Sequence, residues 1–398
     1  MNSNNFSKSF TYFNLFFYMG MVISYTVMPL YFKEENSIVA YGFAYSSMAL
    51  AGALSLFYGK LIDKYDWKKT IIIGTLIYGF AIFGRLLTDV YSSIFFGFMA
   101  GLGASVVLLS IRSWMVESSD ENLKKLVFIR NINIQFSTFI GIFLVLLFSL
   151  YENYLSNIYF YLIAASPILI LISHIIFINY IQKNKKSKNA QKAQEVHKKN
   201  KIEFTLIINL ILISSIISGI CTGLLKPYII LILIDQGLSS SYSLLVYMVI
   251  TLIQILSTFY LLNNIKRLPV SSINVLIYIE LILFLIYLSM YFIVNYQISI
   301  YLFILMFIIR SIALAFSSSF EEILHYDVIN KEIIASTLGF VQTFFLIGDS
   351  LGALISTLAI KGNYIFVFIF LSFFIFINLI VLFKIKSIIK EPVKNYLL

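Results

Sequence analysis

The chain has 398 residues, of which 60% are hydrophobic and only 12% are charged, and its mean hydropathy is +0.91. Soluble domains are about 45–50% apolar, so this composition excludes an ordinary water-soluble protein and indicates one solvated largely by lipid. The net charge of +10 would suit a nucleic-acid-binding protein, but the lysines lie in the gaps between apolar runs, which is a pattern of membrane topology.

Twelve apolar runs are long enough to cross a bilayer as helices, which takes about 20 residues. The first run is too long for the hydrophobic segment of a signal peptide and has no small-residue cleavage site, so we expect a retained helix. We predict an all-α membrane protein. Its spans in the first half are 10–32, 38–60, 70–88, 91–116, 125–150 and 156–181. Its spans in the second half are 204–234, 240–262, 270–293, 298–320, 333–359 and 363–385.

Basic residues flank these spans unevenly. Most of the 29 lysine and arginine residues fall on the side that also holds both termini, whereas the opposite loops hold Lys33, Arg85 and Lys361. Because an excess of lysine and arginine marks cytoplasmic loops, we predict a multi-pass protein of the plasma (inner) membrane with both termini in the cytoplasm. Arg85 is then interpreted as an anchor at the outer interface, beside Asp89.

A polar, lysine-rich stretch divides the chain into equal sets of spans. We predict six-helix bundles at 1–181 and 204–398, joined by a cytoplasmic basic linker at 182–203. The pattern Q-x5-G begins at Gln135 in the fifth span and again at Gln342 in the eleventh. Such a recurrence indicates a repeat of six helices.

The turn after the second span is unusually rich in charge. Residues 58–69 read YGKLIDKYDWKK between two apolar runs. Gly59, Leu61 and Asp63 match the pattern G-x-L-x-D-R-x-G-R-[RK], which is the signature between helices 2 and 3 of the major facilitator superfamily. The chain resembles this family over its whole length, through the twelve spans, the division into halves and the central basic loop.

The match to this signature is incomplete. Lys64 and Lys68 keep the charge of the family's arginines, but lysine cannot form their bidentate pairs. Asp66 stands where the pattern has a glycine, and Trp67 replaces a basic residue. The resemblance implies a gating latch that holds the cytoplasmic side closed, formed by Gly59, Asp63, Lys64, Lys68 and Glu117.

Charged residues inside the predicted spans cost about 2.5–3.5 kcal/mol each at the bilayer centre, so each indicates a function. In the resembled fold, helices 1, 4, 7 and 10 line a central cavity, which implies that Arg112, Lys226 and Arg310 are cavity cations. A surplus of positive charge favours an anionic or zwitterionic solute. The predicted solute-binding residues are Arg112, Lys226, Arg310, Asp349, Tyr25, Gln135 and Gln342.

Two buried acids are candidates for proton coupling. Asp349 lies in the eleventh span and Glu280 in the ninth. A carboxyl group that is desolvated but close to a cation can exchange protons as its surroundings change. Asp349 has an alternative role in a salt bridge with Arg310, and Glu280 either pairs with Arg310 or faces a neighbouring helix.

The sequence predicts a secondary-active transporter that moves a small solute by alternating access and couples this movement to protons. Efflux of a metabolite or metallophore is one possible direction of transport. The alternatives are a multidrug or lipid exporter of the same family and, more remotely, a polytopic membrane enzyme. The three histidines lie in separate segments and no P-loop is present, so neither a metal site nor ATP drive is expected. We expect no cofactor, no nucleic-acid partner and a monomer in the lipid bilayer.

For the latch, we predict that Asp63→Asn slows turnover with little loss of substrate affinity, because the substitution removes the charge that holds the closed state and leaves the solute site intact. The measurement is the rate and concentration dependence of transport in proteoliposomes. A strong loss of affinity at normal turnover would give Asp63 a different role.

Overall fold

The protein is described here from a computed structural model, which covers residues 3–54, 57, 66–118, 123–151, 157–185, 205–264, 271–329, 334–362 and 364–390. Throughout these residues the regular structure is helical. The first six helices are α1 (Ser3–Glu34), α2 (Ile38–Ala53), α3 (Trp67–Gly84), α4 (Val90–Ser118), α5 (Leu123–Ser149) and α6 (Ile158–Lys185). The others are α7a (Leu206–Leu225), α7b (Ile229–Asp235), α8 (Ser240–Asn264), α9 (Ser272–Asn295), α10 (Ile300–Val328), α11 (Ile334–Gly362) and α12 (Ile365–Lys390).

These helices follow the predicted spans in order. Ten helical segments of the described part are long and apolar enough to cross a membrane, and α2 is apolar but shorter. The helices α3 and α4 are separate, ending at Gly84 and beginning at Val90, so the short polar stretch between the third and fourth predicted spans is a true break. The prediction of an all-α membrane protein is confirmed.

The chain folds as two compact units. The first unit comprises Met1–Lys199 and Gly237–Met248, and the second comprises Asn200–Gln236 and Val249–Leu398. The start of α8 belongs to the first unit, where the hydroxyl of Ser241 donates a hydrogen bond to the carbonyl of Ser149 at 3.2 Å. The predicted boundaries of the two bundles, at 181 and 204, stay a prediction.

Four helix contacts of the first unit recur between the equivalent helices of the second. In the first unit α1 packs on α5 and α6, and α3 packs on α4 and α6. In the second unit α7a packs on α11 and α12, and α9 packs on α10 and α12. The two glycines of the Q-x5-G pattern occupy matching places, since Gly141 of α5 faces Val22 of α1 and Gly348 of α11 faces Ile216 of α7a. The weak sequence repeat therefore corresponds to equivalent helix pairs.

Glycine sets the closest helix contact of the second unit, between α7a and α11. A Cβ at Gly219 would overlap the carbonyl oxygen of Phe345, and one at Gly223 would overlap that of Asp349. Gly348 and Gly352 on α11 face the α7a backbone in the same way. Small residues four apart on both helices let the two backbones come close. Inside a membrane this close packing stabilises the helix pair, because the hydrophobic effect does not drive helix association there.

The seventh span is interrupted at Pro227. The helix α7a ends at Leu225, residues Lys226–Tyr228 form a 3-10 turn, and α7b continues to Asp235. Proline lacks the backbone N–H that would close the next helical turn, so the break falls at this point. The hydroxyl groups of Tyr228 and Thr357 lie 2.7 Å apart and fix the turn against α11.

We predict that Gly223→Ala destabilises the second unit by about 1–3 kcal/mol, because the added methyl meets main-chain atoms of α11 that cannot rotate away. The measurement is the thermal unfolding midpoint of the protein in detergent. Gly79→Ala is the matched control, since a Cβ there approaches no closer than 3.7 Å, to Ile170. Equal stability of both variants would contradict the contact.

Candidate functional site

In the first unit, Arg130 and Tyr18 place a cation against α1. Arg130 lies on α5, and its Nε donates a hydrogen bond to the hydroxyl of Tyr18 at 3.4 Å. Tyr18 is buried, whereas Arg130 is half-buried. The same two helices are joined where the hydroxyl of Ser137 donates to the carbonyl of Leu15 at 3.2 Å. In the sequence Arg130 lies among the cations at the start of the fifth span. Its long side chain nevertheless places the charge against the neighbouring helix, α1.

Arg85 lies in the interior of the first unit, and the prediction of an anchor at the outer interface is wrong. Its side chain is only 3% exposed. The guanidinium donates to the hydroxyl of Ser24 on α1 at 2.9 Å and to the sulfur of Met48 on α2 at 3.0 Å. It also interacts with the phenol of Tyr78, about two turns earlier on α3. Side chains of α1, α2 and α3 therefore hold this cation in the interior of the unit.

Asp89 does not compensate the charge of Arg85. Its exposed carboxylate accepts a hydrogen bond from the backbone N–H of Ser92 at 2.9 Å. The hydrogen bonds from Ser92 lower the pKa of the Asp89 carboxyl. Asp89 acts as a cap at the start of α4.

The other predicted site residues of the first unit lie on α1, α4 and α5. Tyr25 is half-buried on α1, with its ring centroid 6.0 Å from that of Tyr45 on α2. Gln135 is half-buried on α5. Arg112 lies on α4, but its side chain falls outside the described part of the structure. Their role in solute binding stays a prediction.

In the second unit, Glu280 is the centre of a buried polar network. It lies on α9 and is 4% exposed, and its Oε1 accepts a hydrogen bond from the hydroxyl of Ser317 on α10 at 3.0 Å. The amide of Asn378 on α12 lies beside the same carboxylate and accepts a hydrogen bond from Ser214 of α7a at 2.7 Å. The second carboxylate oxygen, Oε2, is buried and has no hydrogen bond within the described residues. Glu280 thus faces neighbouring helices, as one of its two alternatives predicted.

Arg310 is buried in the same unit among aromatic side chains. It is 5% exposed, and its Nε donates to the hydroxyl of Tyr287 on α9 at 2.8 Å. Its guanidinium lies 5.7 Å from the ring centroid of Tyr287 and 6.0 Å from that of Phe307. The negative faces of these rings partly compensate the charge of Arg310. These contacts make Arg310 part of the packing between α9 and α10, and its role in binding solute stays a prediction.

The remaining predicted residues of the second unit occupy different surroundings. Asp349 is buried on α11, where its backbone meets Gly219 and Gly223 of α7a. Lys226 is exposed in the 3-10 turn that interrupts the seventh span, and Gln342 is exposed on α11. The structure therefore places the second unit's predicted site residues on α7, α9, α10 and α11.

The start of α3 explains both departures from the signature pattern. The Asp66 side chain caps α3 by accepting a hydrogen bond from the backbone N–H of Lys68 at 3.2 Å. Trp67 is buried and stacks on Trp114 of α4, with ring centroids 5.9 Å apart. The ammonium of Lys68 lies 5.2 Å from the Trp67 ring centroid. Both residues that break the pattern therefore fix the end of the turn to the first unit.

The other latch residues cannot be placed from this structure. Gly59, Asp63 and Lys64 lie outside the described residues, as does the side chain of Glu117, although its backbone belongs to α4. The latch stays a prediction.

A cavity of about 670 Å³ opens at one end of the second unit. Its lining includes Asp235 and Gln236 at the end of α7b, Gln297 and Ser299 before α10, and Tyr364 before α12. Tyr364 and Gln236 are hydrogen-bonded to each other. Burial, and then the nearby carboxylate of Asp235, raise the pKa of the Tyr364 phenol. No sequence pattern marks this cavity, because its residues come from three separate turns.

Within the described residues, no group of three or more histidine, cysteine, aspartate or glutamate side chains could hold a metal ion. The cysteine at position 221 is buried and unoxidised. The buried polar groups of the two units are mainly hydroxyl, amide, guanidinium and carboxyl groups, together with the imidazole of His325. These groups suit hydrogen bonding and proton transfer.

Comparison with known proteins identifies the family. The model of the Major Facilitator Superfamily matches residues 11–353. No curated protein matches the chain significantly.

Several solved transporters share the fold. The nucleoside transporter NupG is 13% identical with a TM-score of 0.74, over 96% of this chain and 99% of that one. A D-xylose-proton symporter is 14% identical with a TM-score of 0.72, over 96% and 97% of the two chains. A bacterial homologue of the iron transporter ferroportin, solved in an inward-facing state, is 16% identical with a TM-score of 0.72, over 96% and 98%.

The ten membrane-length apolar helices of the described residues, the helix contacts repeated in the two units and the family match over most of the sequence agree with one another. They support a transporter rather than a membrane enzyme. The chain belongs to the major facilitator superfamily.

Proposed function

We propose that this transporter carries a small anionic or zwitterionic solute by alternating access, with coupling to protons, across the plasma (inner) membrane. The observation that carries the proposal is positive charge inside the first unit that has no carboxylate partner among the described residues. Arg85 and Arg130 are hydrogen-bonded there to neutral hydroxyl groups, those of Ser24 and Tyr18.

The sequence of the first unit supports this charge imbalance. In the sequence, every aspartate and glutamate before the linker falls between the predicted apolar spans, and none falls inside one. A guanidinium bonded to a hydroxyl keeps its full charge and has further N–H donors to offer. A solute carboxylate or phosphate would supply both the missing charge and the missing acceptors.

The second unit supports the proton-coupling part of the proposal through Glu280. This carboxyl is buried, has one hydrogen-bonded oxygen and one without a hydrogen bond, and is bonded to a hydroxyl rather than to a cation. A buried carboxylate with an unsatisfied oxygen is costly, and a proton on that oxygen removes the charge. Glu321, one turn beyond Ser317 on α10, is close enough to interact with Glu280 electrostatically. We assign proton coupling to Glu280, together with Asp349 as the sequence predicts.

The other binding residues complete the proposal. Lys226 in the interrupted seventh span adds a cation, because a helix break near the middle of a span is a common place for a solute group to bind. Arg112, Arg310, Tyr25, Gln135 and Gln342 keep the roles predicted for them. Gly59, Asp63, Lys64, Lys68 and Glu117 form the proposed latch, whose attachment to the first unit is supported by the burial of Trp67.

The proposal includes efflux of a metabolite or metallophore, with uptake as the other direction, and export of lipophilic drugs or lipids is the second candidate. The aromatic content of 17% is the feature that suits lipophilic substrates. The two candidates differ in their need for cations, since a neutral lipophilic substrate gains nothing from a guanidinium in the interior of the first unit.

We predict that Arg130→Gln reduces transport of an organic acid at least about tenfold, because a charge-assisted hydrogen bond contributes about 1.5–3 kcal/mol. The measurement is uptake or counterflow of a panel of labelled acids, zwitterions and neutral drugs in proteoliposomes. Lys386→Gln is the matched control, since Lys386 is a half-buried cation near the end of α12. Unchanged transport of every tested acid by Arg130→Gln would reject the anion hypothesis.

We predict that Glu280→Gln abolishes accumulation driven by an imposed pH gradient but retains counterflow, because glutamine keeps the hydrogen bond from Ser317 and cannot exchange a proton. Both activities are measured on the same proteoliposomes. Glu34→Gln, at an exposed carboxylate at the end of α1, should keep both. Gradient-driven accumulation by Glu280→Gln at the normal level would show that the coupling proton is carried elsewhere.

A further inference from the structure

The side chain of Arg85 runs in the opposite direction to that expected at its position. Arg85 directly follows α3, which ends at Gly84. Long basic side chains at the ends of membrane helices usually extend outwards, where the charge reaches the headgroups and water. The Arg85 guanidinium instead lies in the interior of the first unit, where it interacts with the phenol of Tyr78, and only 3% of the residue is exposed.

The contacts of this guanidinium satisfy only part of its hydrogen-bonding capacity. An arginine carries five N–H donors. One donor meets the hydroxyl of Ser24 at 2.9 Å and another meets the thioether of Met48 at 3.0 Å, which is a weak acceptor. The phenol of Tyr78 is hydrogen-bonded to the guanidinium as well. The Nε atom is buried and has no hydrogen bond among the described residues.

The charge of Arg85 also lacks a compensating carboxylate in the part of the chain that the structure describes. The nearest acid in the sequence, Asp89, is exposed and bonded to Ser92. The carboxyl end of the α3 dipole carries only about half an elementary charge, so it does not fully compensate the guanidinium. Buried arginines are almost always paired, because an isolated charge in the interior is strongly unfavourable.

We propose that Arg85, with Ser24 and Tyr78, forms a binding site for a small monovalent anion inside the first unit. The chemistry required is one negative charge with several acceptor lone pairs, which a chloride ion or a carboxylate group supplies. Ser24 and Tyr78 contribute hydroxyl groups that can donate to the same anion. The proposal goes beyond solute transport, because the anion stabilises the packing of α1, α2 and α3 whether or not it is carried.

The test is the thermal unfolding midpoint of the purified full-length protein in neutral detergent, at fixed ionic strength, as sodium gluconate is replaced by sodium chloride or by sodium formate. We expect a saturable rise of at least about 3 °C in the wild-type protein, because a ligand that binds only the folded state raises the midpoint. A rise with both salts indicates a general small-anion site, a rise with formate alone indicates a carboxylate site, and a rise with chloride alone indicates an inorganic-anion site.

Two variants test whether this rise depends on Arg85, and a third serves as the control. Arg85→Met should lose it, while Lys386→Met, which removes a cation from a helix end of the second unit, should keep it. Ser24→Asp places a carboxylate beside the guanidinium, so we expect a higher midpoint in gluconate and no further rise with chloride or formate. This variant decides the matter even if Arg85→Met does not fold.

The proposal is overturned if the wild-type protein shows no saturable rise. It is also overturned if Arg85→Met responds as the wild type does, which would indicate an adventitious ion only, or if Ser24→Asp retains the full rise. Because the readout is stability, and because the transport test uses Arg130, failure of the anion site can be told apart from failure of the proposed function.

Discussion

A charge inside a membrane protein must be compensated by the protein or by its ligands, because the surrounding lipid offers neither counter-charge nor hydrogen bonds. This constraint gives meaning to the buried polar groups of an otherwise apolar chain. The two units meet it differently. Arg310 in the second unit is surrounded by aromatic rings and a phenol. Arg85 in the first unit contacts a hydroxyl, a thioether and a phenol, and its Nε has no hydrogen bond within the described ranges.

This difference suggests that the two units have different roles. The spans of the first unit contain cations and no mid-span carboxylate, while those of the second contain Glu280 and Asp349. Cations with neutral partners suit the binding of anions. Buried carboxyls bonded to a hydroxyl, as Glu280 is to Ser317, suit the uptake and release of protons.

The scaffold that holds these groups depends on close contact between helix backbones. In both units the first and fifth helices of the repeat, α1 with α5 and α7a with α11, meet at a glycine of the Q-x5-G pattern. In the second unit Gly348 meets main-chain atoms of α7a, which cannot rotate away, whereas in the first unit Gly141 meets the side chain of Val22. The interruption at Pro227 lies just beyond the glycines at which α7a packs on α11.

The amino-acid sequence by itself determined the membrane environment, the helical spans and the family, because apolar length, charge bias and a short signature are properties of the chain that need no contacts. It also located the intramembrane charges Glu280, Arg310 and Asp349. The sequence did not show which groups the long side chains would contact. Arg85 and Arg130 sit near helix ends in the sequence, yet their guanidinium groups reach Ser24 and Tyr18 on α1. Only the tertiary structure decided this, because the direction of a flexible side chain depends on which polar groups the neighbouring helices bring within its reach.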